Sequence, residues 1–212
     1  LIPIVFAALV VLACTPPWQR TAPVEPASAT PDNSAGATAA PAPFRADVAA
    51  LFNGNAVASV AYDETTARAF VLNEAGARVD ILDVSEITAP VFVASIDVTP
   101  YGQNPTSVAV RNGVAAIAVE ADKKTAAGTV LFADMNGTIL GDVNVGALPT
   151  ALAFTPDGAR LVVANRGAAN KQGTKNPEGS VSVIDMSEGP ARVSKGDVRT
   201  AGFAQFNDAV LD

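Results

Sequence analysis

The chain has 212 residues, a formal net charge of −7 and only 17% charged residues, against about 25% in a typical domain. The acidic balance predicts no nucleic-acid partner, because nucleic acids bind clustered Lys and Arg side chains. The sequence contains no His and one Cys, Cys14. Ser-His-Asp triads, Cys-His pairs and His-ligated metal sites are therefore excluded within these residues, and no catalytic residue is assigned.

The chain begins with an uninterrupted apolar run, residues 1–13, that ends at Cys14. A run of this length suits the hydrophobic region of a signal peptide, since a membrane-spanning helix needs roughly 17–25 residues. Val11–Cys14 resembles the lipobox of bacterial lipoproteins, in which the Cys is lipidated and becomes the mature N-terminus. We therefore predict a signal segment over residues 1–14 with lipidation at Cys14. The alternatives are an ordinary secretory signal or an uncleaved anchor.

Residues 15–44 are rich in Pro, Ala, Ser and Thr and nearly lack branched aliphatic side chains. Such a segment buries too little apolar surface to fold and is typical of an extended tether. The folded part is expected over residues 45–212. Anchor, tether and folded module together predict an exported lipoprotein held in the membrane by its N-terminus. It would lie at the cell surface or in the periplasm, on the outer membrane where the host has one.

Three segments of the folded part repeat the same pattern of short apolar strands and turns. Their first strands contain Ala58–Tyr62, Thr106–Val110 and Ala151–Phe154. The third segment has the clearest turn, Thr155–Gly158, in which Pro presets φ, the Asp carboxylate accepts a backbone hydrogen bond and Gly takes a positive φ. A fourth strand fits after each triplet, at residues 91–98, 138–145 and 191–198.

Four short strands on a period of roughly 45 residues are typical of a β-propeller blade. The sequence therefore predicts an all-β partial propeller of about three four-stranded blades; a plain β-sandwich is the alternative. Because propellers close with about 4–8 blades, we expect the chain to be the N-terminal part of a longer propeller. Ring closure by self-association is the other way to cover the end blades.

Asp83, Asp134 and Asp185 each end the third strand of a repeat. The recurrence of a short acceptor side chain at this place predicts a structural role in the turn that follows.

Candidate oxygen ligands occur on two equivalent loops of the second and third repeats, which should lie at the same end of the propeller. Oxygen donors of this kind suit a hard cation such as calcium. The candidate metal ligands are Glu120, Asp122, Asn176 and Glu178, and the candidate ligand-binding residues are Lys123, Lys171, Asn165 and Asn170. The alternative is that these side chains form solvated loop tips and bind nothing.

Six motifs occur in an order that resembles the bacterial choice-of-anchor I family of exported surface propellers. They are Ser59–Asp63, Asn104–Val110, Gly146–Thr150, Phe154–Gly158, Leu161–Asn165 and Asn176–Asp185. The resemblance covers about residues 45–208 and implies further blades. Some members are labelled alkaline-phosphatase-like or phytase-like. The family commonly carries an acidic loop after the strand ending at Asn165, and here residues 166–170 contain no carboxylate.

These features predict a cell-surface binding or scaffold module that engages an unidentified surface ligand or protein. The alternative is a fragment of a calcium-dependent phosphoesterase of the phytase or alkaline-phosphatase-like kind. The fold alone does not decide between them, because propellers host both.

Overall fold

A computed structural model describes residues 57–203 of the chain. Cys14, the predicted signal segment and the predicted tether lie outside the described residues. Within the described range the first blade consists of four antiparallel strands in sequential order, β1 to β4. Their bounds are Val57–Asp63, Arg68–Asn73, Arg78–Asp83 and Val91–Asp97.

The second and third blades repeat this meander. Blade 2 is formed by β5 Pro105–Arg111, β6 Val114–Val119, β7 Ala127–Ala133 and β8 Ile139–Ala147. Blade 3 is formed by β9 Pro149–Phe154, β10 Arg160–Asn165, β11 Ser180–Asp185 and β12 Val198–Gly202.

The blades are three separate sheets whose first strands lie side by side, with β1 against β5 and β5 against β9. Adjacent first strands are what a radial arrangement around a propeller axis requires. The predicted all-β fold with three four-stranded propeller blades is therefore confirmed, and a single continuous sandwich is wrong.

Apolar side chains hold neighbouring blades together face to face. Blades 1 and 2 share a core in which Phe70, Ile81, Ile117 and Leu131 are completely buried. Blades 2 and 3 share a second core around Phe132, Leu161 and Ile184. Burying each such side chain contributes about 1.5–3 kcal/mol. Blade packing follows directly from the runs of Val, Ile, Leu and Phe in the second and third strands.

Two ends of the blades are distinguished by their connections. The turn end carries the connections from the first to the second strand and from the third to the fourth strand of each blade. The loop end carries the connections from the second to the third strand and from one blade to the next.

The Pro-Asp-Gly turn at the turn end of blade 3 forms as predicted. The Asp157 carboxylate accepts hydrogen bonds from the Thr155 hydroxyl at 2.6 Å and the Ala159 amide at 3.0 Å. Gly158 has a φ of 74°, which only glycine adopts without strain. The carbonyl oxygen of Asp157 also accepts a hydrogen bond from Asn112 of blade 2 at 3.3 Å. The turn therefore links two blades.

The three recurrent aspartates act as turn caps, which confirms the structural role predicted for them. Hydrogen bonds from the Ser85 hydroxyl and amide hold the pKa of Asp83 below its ordinary value. The Ser187 amide does the same for the pKa of Asp185. Partial burial raises the pKa of Asp134, but hydrogen bonds from nearby backbone amides outweigh it, so this pKa is also lowered.

The structure corrects the predicted position of the fourth strand of blade 3. The strand was expected over residues 191–198 and instead runs Val198–Gly202. Pro190 starts a short 3-10 helix, and a second one, Lys195–Asp197, is held by a reciprocal cap between Ser194 and Asp197. Pro and the local Ser-Asp hydrogen bonds favour turns over strand pairing. The strand begins where Val198 pairs with Ile184.

Among residues 57–203, no helix has the length and apolar character needed to cross a bilayer.

Candidate functional site

The loop end of blades 2 and 3 carries all the predicted site residues that the structure describes. Residues 120–126 join β6 to β7, and residues 166–179 join β10 to β11. Both loops are second-to-third-strand connections of adjacent blades, so the topology places them at the same end.

Glu120 is a buried residue that fastens the loop to the chain between blades 1 and 2. Its carboxylate accepts a hydrogen bond from the Asn104 side-chain amide at 2.9 Å, and only 8% of Glu120 is exposed. Its backbone N–H donates to the Asn104 carbonyl, and its carbonyl accepts from the Gln103 amide. Glu120, a predicted metal ligand, therefore stabilises the base of the loop through these hydrogen bonds.

Asn165 ends the second strand of blade 3, one position before the residue that corresponds to Glu120, and it is also buried, with 3% of its surface exposed. Its side-chain amide donates to the hydroxyls of Ser182 at 2.9 Å and Ser180 at 3.2 Å. Its side-chain oxygen Oδ1 is buried and has no hydrogen-bond partner. Asn165 is thus a member of a polar cluster inside the blade and does not lie at a loop tip.

The long loop of blade 3 is closely packed at its base. The amides of Arg166 and Gly167 donate to the carbonyls of Leu148 and Ala147 at 2.9 and 3.0 Å. Gly167 has a φ of 63°, and a Cβ there would lie 2.2 Å from the Pro177 carbonyl oxygen. These contacts fix where the loop leaves and re-enters the blade.

The outer part of the same loop forms a small turn of its own. The Asn170 side chain donates to the Thr174 hydroxyl at 2.8 Å and accepts from the Lys175 amide at 3.2 Å. The Asn170 amide donates to the Lys175 carbonyl at 2.8 Å. Asn170 therefore shapes the loop that carries Lys171.

The remaining predicted side chains are exposed at the loop end. They are Asp122, Lys123, Lys171, Asn176 and Glu178. Lys124 and Lys175 are exposed in the same two loops. The loop tips therefore present several cationic side chains above bases that are rigidly bonded.

Calcium was predicted for the oxygen donors of these loops. A calcium cage takes six to eight oxygens, several of them from carboxylates. Nowhere in residues 57–203 do three or more Asp, Glu, His or Cys side chains come together in a way that could hold a metal ion. Glu120 commits a carboxylate oxygen to Asn104. The described donors do not form a carboxylate-rich cage, and calcium at these residues stays a prediction.

Sequence reasoning did not identify the partners that hold these residues. Asn104, Ser180 and Ser182 each bond to a candidate residue across at least 15 sequence positions. The available signal was strand alternation, which places Ser182 on the same face as the buried Ile184 and so predicts a hydroxyl that needs an internal partner.

The strand order and the stacked blades define the class of protein as a β-propeller domain. The sequence profile of the choice-of-anchor I domain matches residues 58–212. The chain belongs to the choice-of-anchor I family, and the predicted resemblance is confirmed. Membership in this family supports an exported, cell-surface protein.

Solved structures share the fold at low sequence identity. Hydrazine synthase from Kuenenia stuttgartiensis is 18% identical with a TM-score of 0.50, over 68% of this chain and 36% of that one. A functionally unknown protein from Desulfotomaculum acetoxidans is 14% identical with a TM-score of 0.52, over 69% and 42%. The chain thus spans less than half the length of these structures. At such identities the likeness shows the fold alone.

A search of curated proteins finds no match to this chain.

Proposed function

We propose that the chain is a lipid-anchored surface module whose loop end binds an anionic component of the cell envelope. The observation that carries the proposal is the set of exposed lysines at the loop tips of adjacent blades, with Lys123 on blade 2 and Lys171 on blade 3. The loop bases beneath them are fixed by backbone hydrogen bonds. A rigid base lowers the entropy cost of binding, because the loops are already ordered.

The charge distribution makes these lysines distinctive. The whole chain carries a net charge of −7, whereas the loop of residues 166–179 carries Arg166, Lys171 and Lys175 against one carboxylate, Glu178, and is a local exception to an acidic molecule. Exposed cations steer anionic partners and set the rate and specificity of association. The partner therefore has the chemistry of an acidic polymer or an acidic protein surface.

The direct test is binding of the purified chain to isolated envelopes of the host bacterium, measured by sedimentation. We expect Lys123→Gln combined with Lys171→Gln to weaken binding several-fold and to increase the fraction left in solution. Binding that is unchanged in the double variant would contradict the proposal.

The lipid anchor is tested separately at Cys14. Cys14→Ala expressed in the host is expected to leave the membrane fraction after a high-salt wash, which screens the charge-based binding of the loop end, since a single lipidated Cys would provide the attachment. A variant that still partitions with membranes after that wash would refute lipidation.

The phosphoesterase alternative requires several carboxylates around shared metal ions. It is tested by a phosphatase assay and by thermal unfolding, each with and without calcium. Calcium-dependent turnover together with a calcium-induced rise in melting temperature would favour that alternative over the binding module.

A further inference from the structure

A cleft of about 540 Å³ lies between the fourth strands of blades 2 and 3. Its walls include Val145 and Gly146 from β8 and Val198 and Thr200 from β12, with Lys195 from the short helix before β12. The volume falls in the range of about 300–1,000 Å³ that is typical of small-molecule sites. None of the candidate site residues predicted from the sequence lines this cleft.

The charge of the cleft is set by Lys195. Of the described residues that line the cleft, Lys195 alone is charged, and none is a carboxylate. The nearby Asp197 is held by the hydroxyl and amide of Ser194, and these hydrogen bonds lower its pKa. Lys195 makes no ion pair within residues 57–203. The cleft therefore offers a cation to an anionic group.

A line of hydrogen bonds leads from the blade interior to the cleft. The buried Asn165 amide donates to the Ser182 hydroxyl at 2.9 Å, and Ser182 lies 3.0 Å from the Thr200 hydroxyl. When Ser182 accepts from Asn165 and passes its own hydrogen to Thr200, the Thr200 hydrogen points to the next acceptor in line. Hydrogen bonds in such chains polarise one another. Either hydroxyl of the Ser182–Thr200 pair can be the donor, and in the arrangement in which Ser182 donates, the Thr200 hydrogen is available to a ligand.

Asn165, at the inner end of this line of hydrogen bonds, has an unusual environment. Its Oδ1 atom is buried without a partner, which destabilises the folded state. Gly146, which lines the cleft, also lies against Asn165, since a Cβ on Gly146 would be 2.6 Å from the Asn165 Cγ. Asn165 is therefore connected to the cleft in two ways, through its side-chain nitrogen by way of Ser182 and Thr200, and through its contact with Gly146.

The rest of the lining is largely apolar. Val145, Val198, Ala126 and Ala127 contribute aliphatic surface. A ligand that suits this lining has one anionic group for Lys195 and Thr200 and a short hydrocarbon body for the valines and alanines.

From this pairing of a cation, a hydroxyl donor and an aliphatic wall, we propose that the cleft between β8 and β12 binds a small aliphatic carboxylate. Lys195 and Thr200 contact the carboxylate, and Asn165 and Ser182 orient the Thr200 hydroxyl. Neither Lys123 nor Lys171 lines the cleft, so the two proposals are tested by different residues.

The test is an NMR titration of the isotope-labelled chain with hexanoate, followed at the backbone amides of Val145, Val198 and Thr200. We expect saturable shifts at these amides with a millimolar dissociation constant, and no comparable shifts with hexylamine, which has a similar carbon chain and the opposite charge. Lys195→Met should weaken binding by about fivefold, the upper range for an exposed ion pair. Thr200→Val should weaken binding by about threefold, the range for one neutral hydrogen bond.

Matched controls separate binding from folding. Thr200→Ser keeps the hydroxyl and should retain hexanoate binding, and Lys171→Met removes an equal charge at the loop end and should have no effect. Circular dichroism checks that each variant is folded. The proposal is overturned if hexanoate gives no shift up to about 10 mM, a concentration well above a millimolar dissociation constant. It is equally overturned if hexylamine binds as well, or if Lys195→Met and Lys171→Met behave alike.

Discussion

The turn end and the loop end of the blades use their charged side chains differently. At the turn end, Asp83, Asp134 and Asp185 each accept hydrogen bonds from backbone amides within four residues. At the loop end, Lys123 and Lys171 are exposed. The three aspartates stabilise turns of the fold, whereas the ammonium groups of Lys123 and Lys171 are exposed to a partner. Substitutions at the exposed loop tips can therefore change binding without removing hydrogen bonds that stabilise the blade.

The loop end is nevertheless rigid at its base, and this is where the largest effect of a substitution is expected. Gly167→Ala would place a Cβ 2.2 Å from the Pro177 carbonyl oxygen at a φ of 63°. The free energy of unfolding should fall by about 3 kcal/mol, because a left-handed conformation and a backbone clash add together. Urea unfolding measures the loss.

Gly173→Ala is the matched control for Gly167→Ala. Gly173 has a similar φ of 69° with open space around it, so only the conformational cost of about 1–2 kcal/mol applies. Equal losses in the two variants would show that the base of the loop is not closely packed.

Glu120 and Asp122 allow the bonded base and the exposed tip of a single loop to be compared. Glu120→Ala leaves the Asn104 amide without its acceptor, and the free energy of unfolding should fall by about 1–3 kcal/mol. Asp122→Ala removes an exposed carboxylate and should change stability by less than about 0.5 kcal/mol. Thermal and urea unfolding of both variants measure the two losses of stability. A larger loss from Asp122→Ala would mean that the loop tip, rather than its base, supports the blade.

The aspartates of the turn end predict how stability depends on pH. Their pKa values are lowered in the folded state, whereas an unfolded Asp has a pKa of about 3.9. Their contribution is therefore present above about pH 4, and it is lost as the pH falls through the lower folded values. The free energy of unfolding should decline in this acid range.

The triple variant Asp83→Asn, Asp134→Asn and Asp185→Asn isolates that effect. Asn keeps an acceptor oxygen but does not titrate in this range, so the acid decline should become shallower while the fold is retained. An unchanged slope would place the acid sensitivity in other carboxylates.

The sequence was sufficient for features that depend on nearby residues. The Pro156-Asp157-Gly158 turn, the aspartate caps and the strand pattern each arise from contacts within a few positions, and the structure confirms them. The fourth strand of blade 3 was misplaced, because the spacing of the other blades favours a strand over residues 191–198, whereas Pro190 and the Ser194–Asp197 cap favour 3-10 turns there.

The candidate site was harder to predict than the fold. Glu120 and Asn165 were correctly placed at strand ends, but their burial depends on Asn104 and Ser182, which lie 16 and 17 positions away. The cleft beside Thr200 depends on the register between β11 and β12 and on the contact between two blades. Periodicity along one strand does not specify such a contact.

The measurement that tests the account most directly compares the two ends in one binding assay. Lys123→Gln with Lys171→Gln removes two charges from the loop end, and Arg160→Gln with Arg192→Gln removes two exposed charges from the turn end. Binding to isolated host envelopes is measured for both double variants and the unaltered chain at one salt concentration. We predict that binding falls several-fold in the loop-end variant and is retained in the turn-end variant. Equal loss in both variants, or loss in the turn-end variant alone, would contradict this prediction.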